Sequence, residues 1–324
     1  MTALWTRRSL CAAALGAVAM PLAAQASPYP SRPVRLIIPF PAGGGTDVLA
    51  RILLEPLRRE LAQPLVVENI GGAGGSIGTA RAAQAAPDGY TVLLTLSSHT
   101  INPAIYSKLS YDAVRDFAGI TALASLPQVL VAHPSFEATD VRTLTARAAS
   151  EPGRLSYAAG NGSPSHIAGE LFKRRAGVDI VHIPYRGAAP AITDVLAGQV
   201  PLLWASLSAV APLLKQGRLK ALAVSTRHRS RLLPDVPAME ESGIKDFHVD
   251  AWYAAFVPIR TPSVIVTRLH SAFEAAIAQP GIEAQLLAQG MEPTTSTPLA
   301  LDTTVKREVA AWSRLVRDAR IKVE

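Results

Sequence analysis

Three glycine-rich turns, each set between a short apolar run and an amphipathic stretch, constrain this chain more than any other feature. The first is Pro39-Phe40-Pro41-Ala42-Gly43-Gly44-Gly45-Thr46-Asp47. The second is Gly71-Gly72-Ala73-Gly74-Gly75-Ser76-Ile77-Gly78, and the third is Ala158-Ala159-Gly160-Asn161-Gly162-Ser163-Pro164-Ser165-His166. Glycine tolerates positive φ and lets the backbone approach a neighbour or a ligand closely. A helix that opens after such a turn presents unpaired N–H groups backed by a partial positive charge. Each turn is therefore a candidate anion cradle, although a glycine turn can equally serve only to reverse the chain.

The flanking pattern predicts an α/β fold. Val34-Arg35-Leu36-Ile37-Ile38 reads as a buried strand. Val48, Leu49, Ile52, Leu53, Leu57 and Leu61 then share one helical face, with Pro56 expected to kink that helix. Strands are expected at residues 65–68 and 90–96, with an Ala-rich helix at 79–86 between them. The same grammar returns at 128–132, 180–183, 201–204 and 219–224, which argues for parallel strands joined by crossover helices. The last quarter reads as helical. Thr261 is expected as an N-cap with Pro262 in the first helical position, and Gly290 as a helix end. Val305, Val309, Trp312 and Val316 place an apolar stripe on the final helix. No internal repeat or long linker marks a boundary, so two interleaved domains are expected rather than two beads on a string.

The N-terminus has the anatomy of an export signal: Arg7 and Arg8, an apolar stretch at 10–22, and the small-x-small site Ala24-Gln25-Ala26. Thr6-Arg7-Arg8-Ser9-Leu10 also resembles a twin-arginine signal, so the general and twin-arginine routes both stay open. Cleavage after Ala26 would remove Cys11, the only cysteine, and with it any disulfide, thiol nucleophile or cysteine-ligated metal. The reading is a periplasmic protein. With 49% hydrophobic and 18% charged residues, a disordered chain is excluded, and 324 residues suffice for two cores.

Several chemistries can be weighed against the residues. Gly74-Gly75-Ser76-Ile77-Gly78 matches the G-x-S-x-G nucleophile elbow, which keeps a secreted serine hydrolase using Ser76 as the alternative function. Residues 71–75 intervene before that serine, however, where an elbow serine follows its strand directly. A dinucleotide turn fails because Ile77 stands where the last glycine belongs. The histidines show no metal spacing, and no cofactor is expected. Arg227, Arg229 and Arg231 form a basic loop without interleaved aromatics, so no nucleic-acid partner is expected. His99 and His166 each follow an expected strand, where open α/β sheets bind ligands.

Taken together, these segments resemble the Bug (TctC-like) family of periplasmic solute-binding proteins of tripartite tricarboxylate transporters. The resemblance is carried by residues 30–35, by the first two turns, and by Val66-Val67-Glu68-Asn69. Further matches are Pro87-Asp88-Gly89-Tyr90-Thr91, Ser165-His166-Ile167-Ala168-Gly169-Glu170, Pro184-Tyr185-Arg186-Gly187, Leu233-Pro234-Asp235-Val236-Pro237 and Trp312. It implies an α/β fold of the type II periplasmic binding kind, a Venus flytrap of two interleaved domains with central, mostly parallel sheets and no catalysis. The domains would comprise residues 27–126 plus 253–324, and 127–252. The resemblance also implies a small carboxylate held in the interdomain cleft. Pro41, Ala42, Gly43 and Thr46 would form the carboxylate loop, partly through water, with Asp47 supporting it. Gly74, Gly75 and Ser76 would form the adjacent wall. Ser97, Ser98 and His99 would follow the third strand, and Asn161, Gly162, Ser163, Ser165 and His166 would close from the second domain. Membrane transporter subunits or a sensor kinase are the implied partners of a monomer. Three departures from the family pattern bear on the ligand. Ala205 stands where an acid is common, which points to a ligand without an amino group; Trp204 beside it is expected in the core. His99, if protonated, would pair with a second carboxylate. Ile70-Gly71 removes a positive charge near the second turn.

Overall fold

The computed structural model describes residues 29–161 and 163–318. The expected export signal and Gly162 lie outside the described residues. The chain opens as the apolar alternation predicts: β1 (Val34–Ile38), α1 (Gly45–Leu61), β2 (Leu65–Asn69), α2 (Ser76–Ala83), β3 (Thr91–Leu96) and α3 (Ser98–Ile105). The 16-residue strand β4 (Phe117–Ala132) then runs into a second series. That series is α4 (Val141–Ser150), β5 (Ser156–Gly160), α5 (Pro164–Ala176), β6 (Val181–Tyr185), α6 (Ala188–Leu196), β7 (Leu202–Ser206), α7 (Leu207–Lys215) and β8 (Lys220–Val224). The chain returns along β9 (Asp250–Pro258) and ends with α8 (Ser263–Ile277), α9 (Ile282–Ala288), β10 (Glu292–Pro293) and α10 (Pro298–Asp318).

The strands form one mixed sheet in the order β2-β1-β3-β9-β4-β7-β5-β6, with β8 and β10 also paired to β4. β4 changes partners along its length. Residues 117–127 pair with β9, and residues 128–132 pair with β7 and β8. Each half of the sheet is covered on both faces. In the first half, Leu36, Ile38 and Val92 meet α1 and α8 on one face. Ile37, Leu93 and Phe256 meet α2 and the start of α10 on the other. In the second half, Tyr157 and Trp204 meet α4 and α5 on one face, while Val129, Ala158 and Leu203 meet α6 and α7 on the other. Trp204 is thus a core residue, as expected, stacked on Phe247 with ring centroids 5.8 Å apart.

Three local expectations are corrected. α1 is continuous through Pro56, because Leu49, Leu53, Leu57 and Leu61 are buried on both sides of it and hold the register. Thr261 does not cap α8: its hydroxyl donates to the Pro258 carbonyl at 2.7 Å, and Pro262 occupies the cap position. The Ala-rich helix begins at Ser76, three residues earlier than expected, directly on the second glycine turn.

Contacts besides the strands tie the two halves together. In α10, Leu301 and Val305 lie in the core beside Phe256, whereas Trp312 and Leu315 lie in the core beside Tyr157. Between them Glu308 is buried and accepts hydrogen bonds from Thr100 at 2.9 Å and the Trp252 indole at 3.1 Å. Arg231 pairs with Glu283, and the Ser230 hydroxyl donates to Glu292. Gly290, at φ +70°, sits so close to Ser208 that a Cβ there would stand 2.7 Å from the Ser208 Cα.

Candidate functional site

Strand direction brings the glycine turns together. β1, β2 and β3 are mutually parallel, and β3 runs antiparallel to β9, which runs antiparallel to β4. These strands therefore point the way β4 travels. β7 opposes β4, and β5 and β6 are parallel to β7, so they point back. β3 ends where Leu96 pairs with Tyr253, itself opposite Ala124; β7 ends where Ser206 pairs with Gln128. The carboxyl ends of both sets thus approach residues 124–128 of β4 from opposite sides. This is the strand-end position at which open α/β sheets take ligands.

The first turn links β1 to α1. Pro41, Ala42 and Gly43 are exposed, and Gly43 takes φ +80°, which favours glycine. Gly44 N–H closes a turn on the Pro41 carbonyl at 3.2 Å. The turn is held from beneath by Asp47, which is 1% exposed. Its carboxylate accepts from Gly43 N–H at 2.8 Å, Arg51 Nε at 2.8 Å and Asn69 Nδ2 at 3.2 Å. The Arg51 bond, with the Gly43 and Asn69 bonds, holds the Asp47 carboxyl below its ordinary range. Asp47 is thus a support rather than a ligand contact. Thr46 is buried at the first turn of α1, and a Cβ on Gly45 would collide with the Tyr253 hydroxyl. No side chain can enter between α1 and β9, which keeps the helix N-terminus against the strand ends.

The second turn packs onto the first. A Cβ on Gly75, at φ +91°, would stand 2.9 Å from the Phe40 ring. Gly74, at φ +61°, is exposed, and its carbonyl accepts from Asn102 Nδ2 at 3.0 Å and the Ser98 hydroxyl at 3.4 Å. Ser76 is half-buried as the first residue of α2. No hydrogen bond joins it to a histidine among the described residues. Ser97 is buried with its Oγ unpartnered, and Ser98 is half-buried beside it.

His99 is corrected. It does not join Ser97 and Ser98 at the strand ends. It is 1% exposed among Tyr111, Phe117 and Phe256, with Nε2 at 3.2 Å from the Ala113 carbonyl. Burial disfavours the imidazolium and pushes its pKa down to about 4, so it is neutral at pH 7 and faces no ligand.

In the second half, Asn161 is exposed, and its N–H donates to the Tyr185 carbonyl at 2.8 Å. Ser163 caps α5, accepting from His166 N–H, while its own hydroxyl donates to the Gly160 carbonyl at 2.6 Å. Ser165 donates to Gln128 Oε1 at 2.6 Å. His166 is buried and stacks on His182, centroids 3.9 Å apart; burial, then the neighbouring His182 and Lys173, lowers its pKa to about 3. Ala205 is buried opposite Val129 in the core under α6 and α7. Two residues of this region escaped the sequence reading. Gln128 is a buried polar side chain on β4, signalled only by an amide inside an apolar run. Tyr253 lies on β9, a strand whose aromatic and alanine mixture carries no period. A separate concavity of about 390 Å³ between α5 and α10, lined by Arg174, Arg175, Arg314 and Trp312, gathers none of the turns.

This region gathers backbone N–H groups, hydroxyls and amides near helix N-termini, with the nearby Asp47 carboxylate paired to Arg51. A family model described as tripartite tricarboxylate transporter family receptor matches residues 49–321. The chain is 35% identical to Protein BugT of Bordetella pertussis over 314 residues, covering 96% of each chain. It is similar to the solved periplasmic binding protein BugD, with 35% identity and a TM-score of 0.72, covering 91% of this chain and all of that one. It is also similar to R. palustris Rpa4515, solved with adipate, with 32% identity and a TM-score of 0.75 over 91% of this chain and all of that one.

Proposed function

The chain belongs to the tripartite tricarboxylate transporter receptor family, and from that membership we propose that it captures a small carboxylate between the two halves of its sheet and delivers it to membrane subunits. The observation that carries this reading is the convergence of the Gly43, Gly74 and Ser163 turns on residues 124–128 of β4, with oriented N–H and hydroxyl donors on both sides. A carboxylate held by several such donors keeps its hydrogen bonds while leaving water. The adipate bound by the relative Rpa4515 supports the ligand class. In this reading residues 27–126 with 253–324, and 127–252, are two lobes that close on the ligand, and the protein acts as a monomer without catalysis.

Ala205 brings no charge to the end of β7, and no unpaired carboxylate stands on the segments that follow β1, β2, β3, β5 or β6. Both points support a ligand without an amino group. The test is calorimetric titration of refolded, ligand-free protein with small carboxylates and with aspartate and glutamate, combined with small-angle scattering. A carboxylate that binds at micromolar concentration and reduces the radius of gyration supports the proposal. Binding of amino acids alone refutes the ligand class. Tight binding without any change in radius refutes lobe closure.

A further inference from the structure

We propose that the groove between α5 and α10 is a docking surface for a protein partner, and that it takes a segment carrying glutamate or aspartate beside leucine-like side chains. A receptor that hands its solute to membrane subunits must present them a surface. The proposal rests on that functional reading and adds to it the place and the chemistry of the contact.

Each wall of the groove belongs to a helix tied to other parts of the fold. α5 carries Ser165 in its first turn, bonded to Gln128, and Arg174 and Arg175 in its last. The two ends lie roughly 14 Å apart along the helix axis. α10 places Leu301 and Val305 in the core of the first half, and Trp312 and Leu315 in that of the second. The concavity of about 390 Å³ is lined by Leu171, Trp312 and Leu315 together with Arg174, Arg175 and Arg314. No carboxylate lines it.

Charge decides the occupant. Arg174 pairs with Asp318 at 2.9 Å and Arg175 with Asp246 at 3.7 Å, and all four side chains are well exposed. Such pairs contribute little, so an incoming carboxylate can replace Asp318 or Asp246 at small cost. Lys173, the other cation at the end of α5, is held by Glu170 at 3.1 Å. Arg314 and, one turn on, Arg317 are exposed with no hydrogen-bond or ion-pair partner among the described residues. The groove and its edge thus set four arginines against two acids. The Trp312 indole N–H is also buried without an acceptor.

Every polar side chain that lines the groove is therefore a donor, and the rest of the lining is apolar. The complement is a set of carboxylates flanking apolar side chains. Guanidinium forks bind carboxylates in bidentate fashion. Arginine and tryptophan are also the side chains that most often anchor protein contacts. A lipid surface meets a basic face as a plane of headgroups, whereas here the arginines border a recess that side chains can enter.

The test uses two labelled synthetic peptides, one of glutamate and leucine at helical spacing and one with glutamine in place of glutamate. Fluorescence anisotropy compares the wild type, the groove variant Arg174→Gln/Arg314→Gln, and the control Arg115→Gln/Arg142→Gln. The control loses the same charge from exposed arginines elsewhere. The wild type and the control should bind the acidic peptide about tenfold or more tightly than the glutamine peptide, and the groove variant should lose that preference. Equal loss in both variants reduces the effect to net charge and overturns the groove. Binding to phosphatidylglycerol vesicles that the groove variant loses, without any preference for the acidic peptide, makes the occupant a lipid and overturns the proposal. So does a tenfold gain in peptide affinity on removal of residues 319–324, which makes the end of the chain itself the occupant. Calorimetry with small carboxylates separates the two readings. Carboxylate binding without peptide preference overturns the groove alone, and peptide preference without carboxylate binding overturns the carboxylate reading alone.

Discussion

Replacing Asp47 by Asn tests whether the first turn is held by a charged acceptor. All three partners of the carboxylate are donors: Gly43 N–H and Arg51 Nε on one oxygen, Asn69 Nδ2 on the other. An asparagine keeps one acceptor and turns an N–H₂ towards a donor on its other side. Asn69 cannot flip to accommodate it without losing its own bond to the Phe40 carbonyl at 3.2 Å. A buried donor left unpaired costs about 1–3 kcal/mol. The Arg51 side chain is 58% exposed, so its ion pair contributes at most about 1 kcal/mol. Together the substitution is expected to destabilise by about 2–4 kcal/mol, which lowers the melting temperature by roughly 4–10 °C in a chain of this size. The sign of the pH dependence follows from the depressed carboxyl pKa. The stabilisation is fully present above the unfolded value of about 3.9 and is lost as pH falls through the folded value. Urea denaturation at neutral pH and below pH 4 reads both effects. The gap between wild type and Asp47→Asn should be wide at neutral pH and narrow in acid. Equal midpoints at pH 7, or a gap that does not change with pH, would refute the anchoring role.

Gly75→Ala places a Cβ 2.9 Å from the Phe40 ring at a positive φ, so thermal stability and carboxylate affinity should fall together, read by calorimetry and melting. Gly290→Ala drives a Cβ into Ser208, whose Cα cannot move cheaply. The ligand-bound protein should then keep a larger radius of gyration than wild type, and Ser208→Gly should restore part of the difference. His99 and His166 are both buried neutral with depressed pKa values of about 4 and 3. Their stabilisation is complete above the unfolded value of about 6.5 and declines as pH falls below it. Melting temperature should therefore drop between pH 6.5 and 4, and His99→Phe, which suits the surrounding rings, should flatten that slope.

The local parts of this fold were legible because their causes are local. A strand such as Val34–Ile38 announces itself by an apolar run that only Arg35 interrupts, and the turns by glycines that positive φ values then require. His99 was misread because its neighbourhood is set by a rotation the sequence does not display. Ser98 and His99 are adjacent at the start of α3, and successive helical residues point about 100° apart. Ser98 turns to the Gly74 carbonyl and His99 into the aromatic cluster, so proximity to a strand end put only one of them at the surface.

The interleaving of the two halves is harder to read, and β4 shows why. Its pattern is near-continuous apolar from Phe117 to Ala132, because both of its faces are covered for the whole length. The event that matters is the exchange of partner, from β9 to β7 and β8 at residues 127–128. That exchange alters hydrogen-bonding register and leaves side-chain polarity untouched. The one polar residue at the exchange is Gln128. Its amide donates to the Leu126 carbonyl, its oxygen accepts from Ser165, and its own N–H donates to Ser225. A single residue thus links the crossing strand to the N-terminus of α5 through its side chain and to the end of β8 through its backbone N–H. Gln128→Leu, which keeps the strand apolar and its backbone bond to Ser225 while removing the two side-chain bonds, separates the two contributions. If the strand alone sets the geometry of the turns, carboxylate affinity should survive. If the amide sets it, affinity should fall while the urea midpoint moves by only about 1–2 kcal/mol of stability.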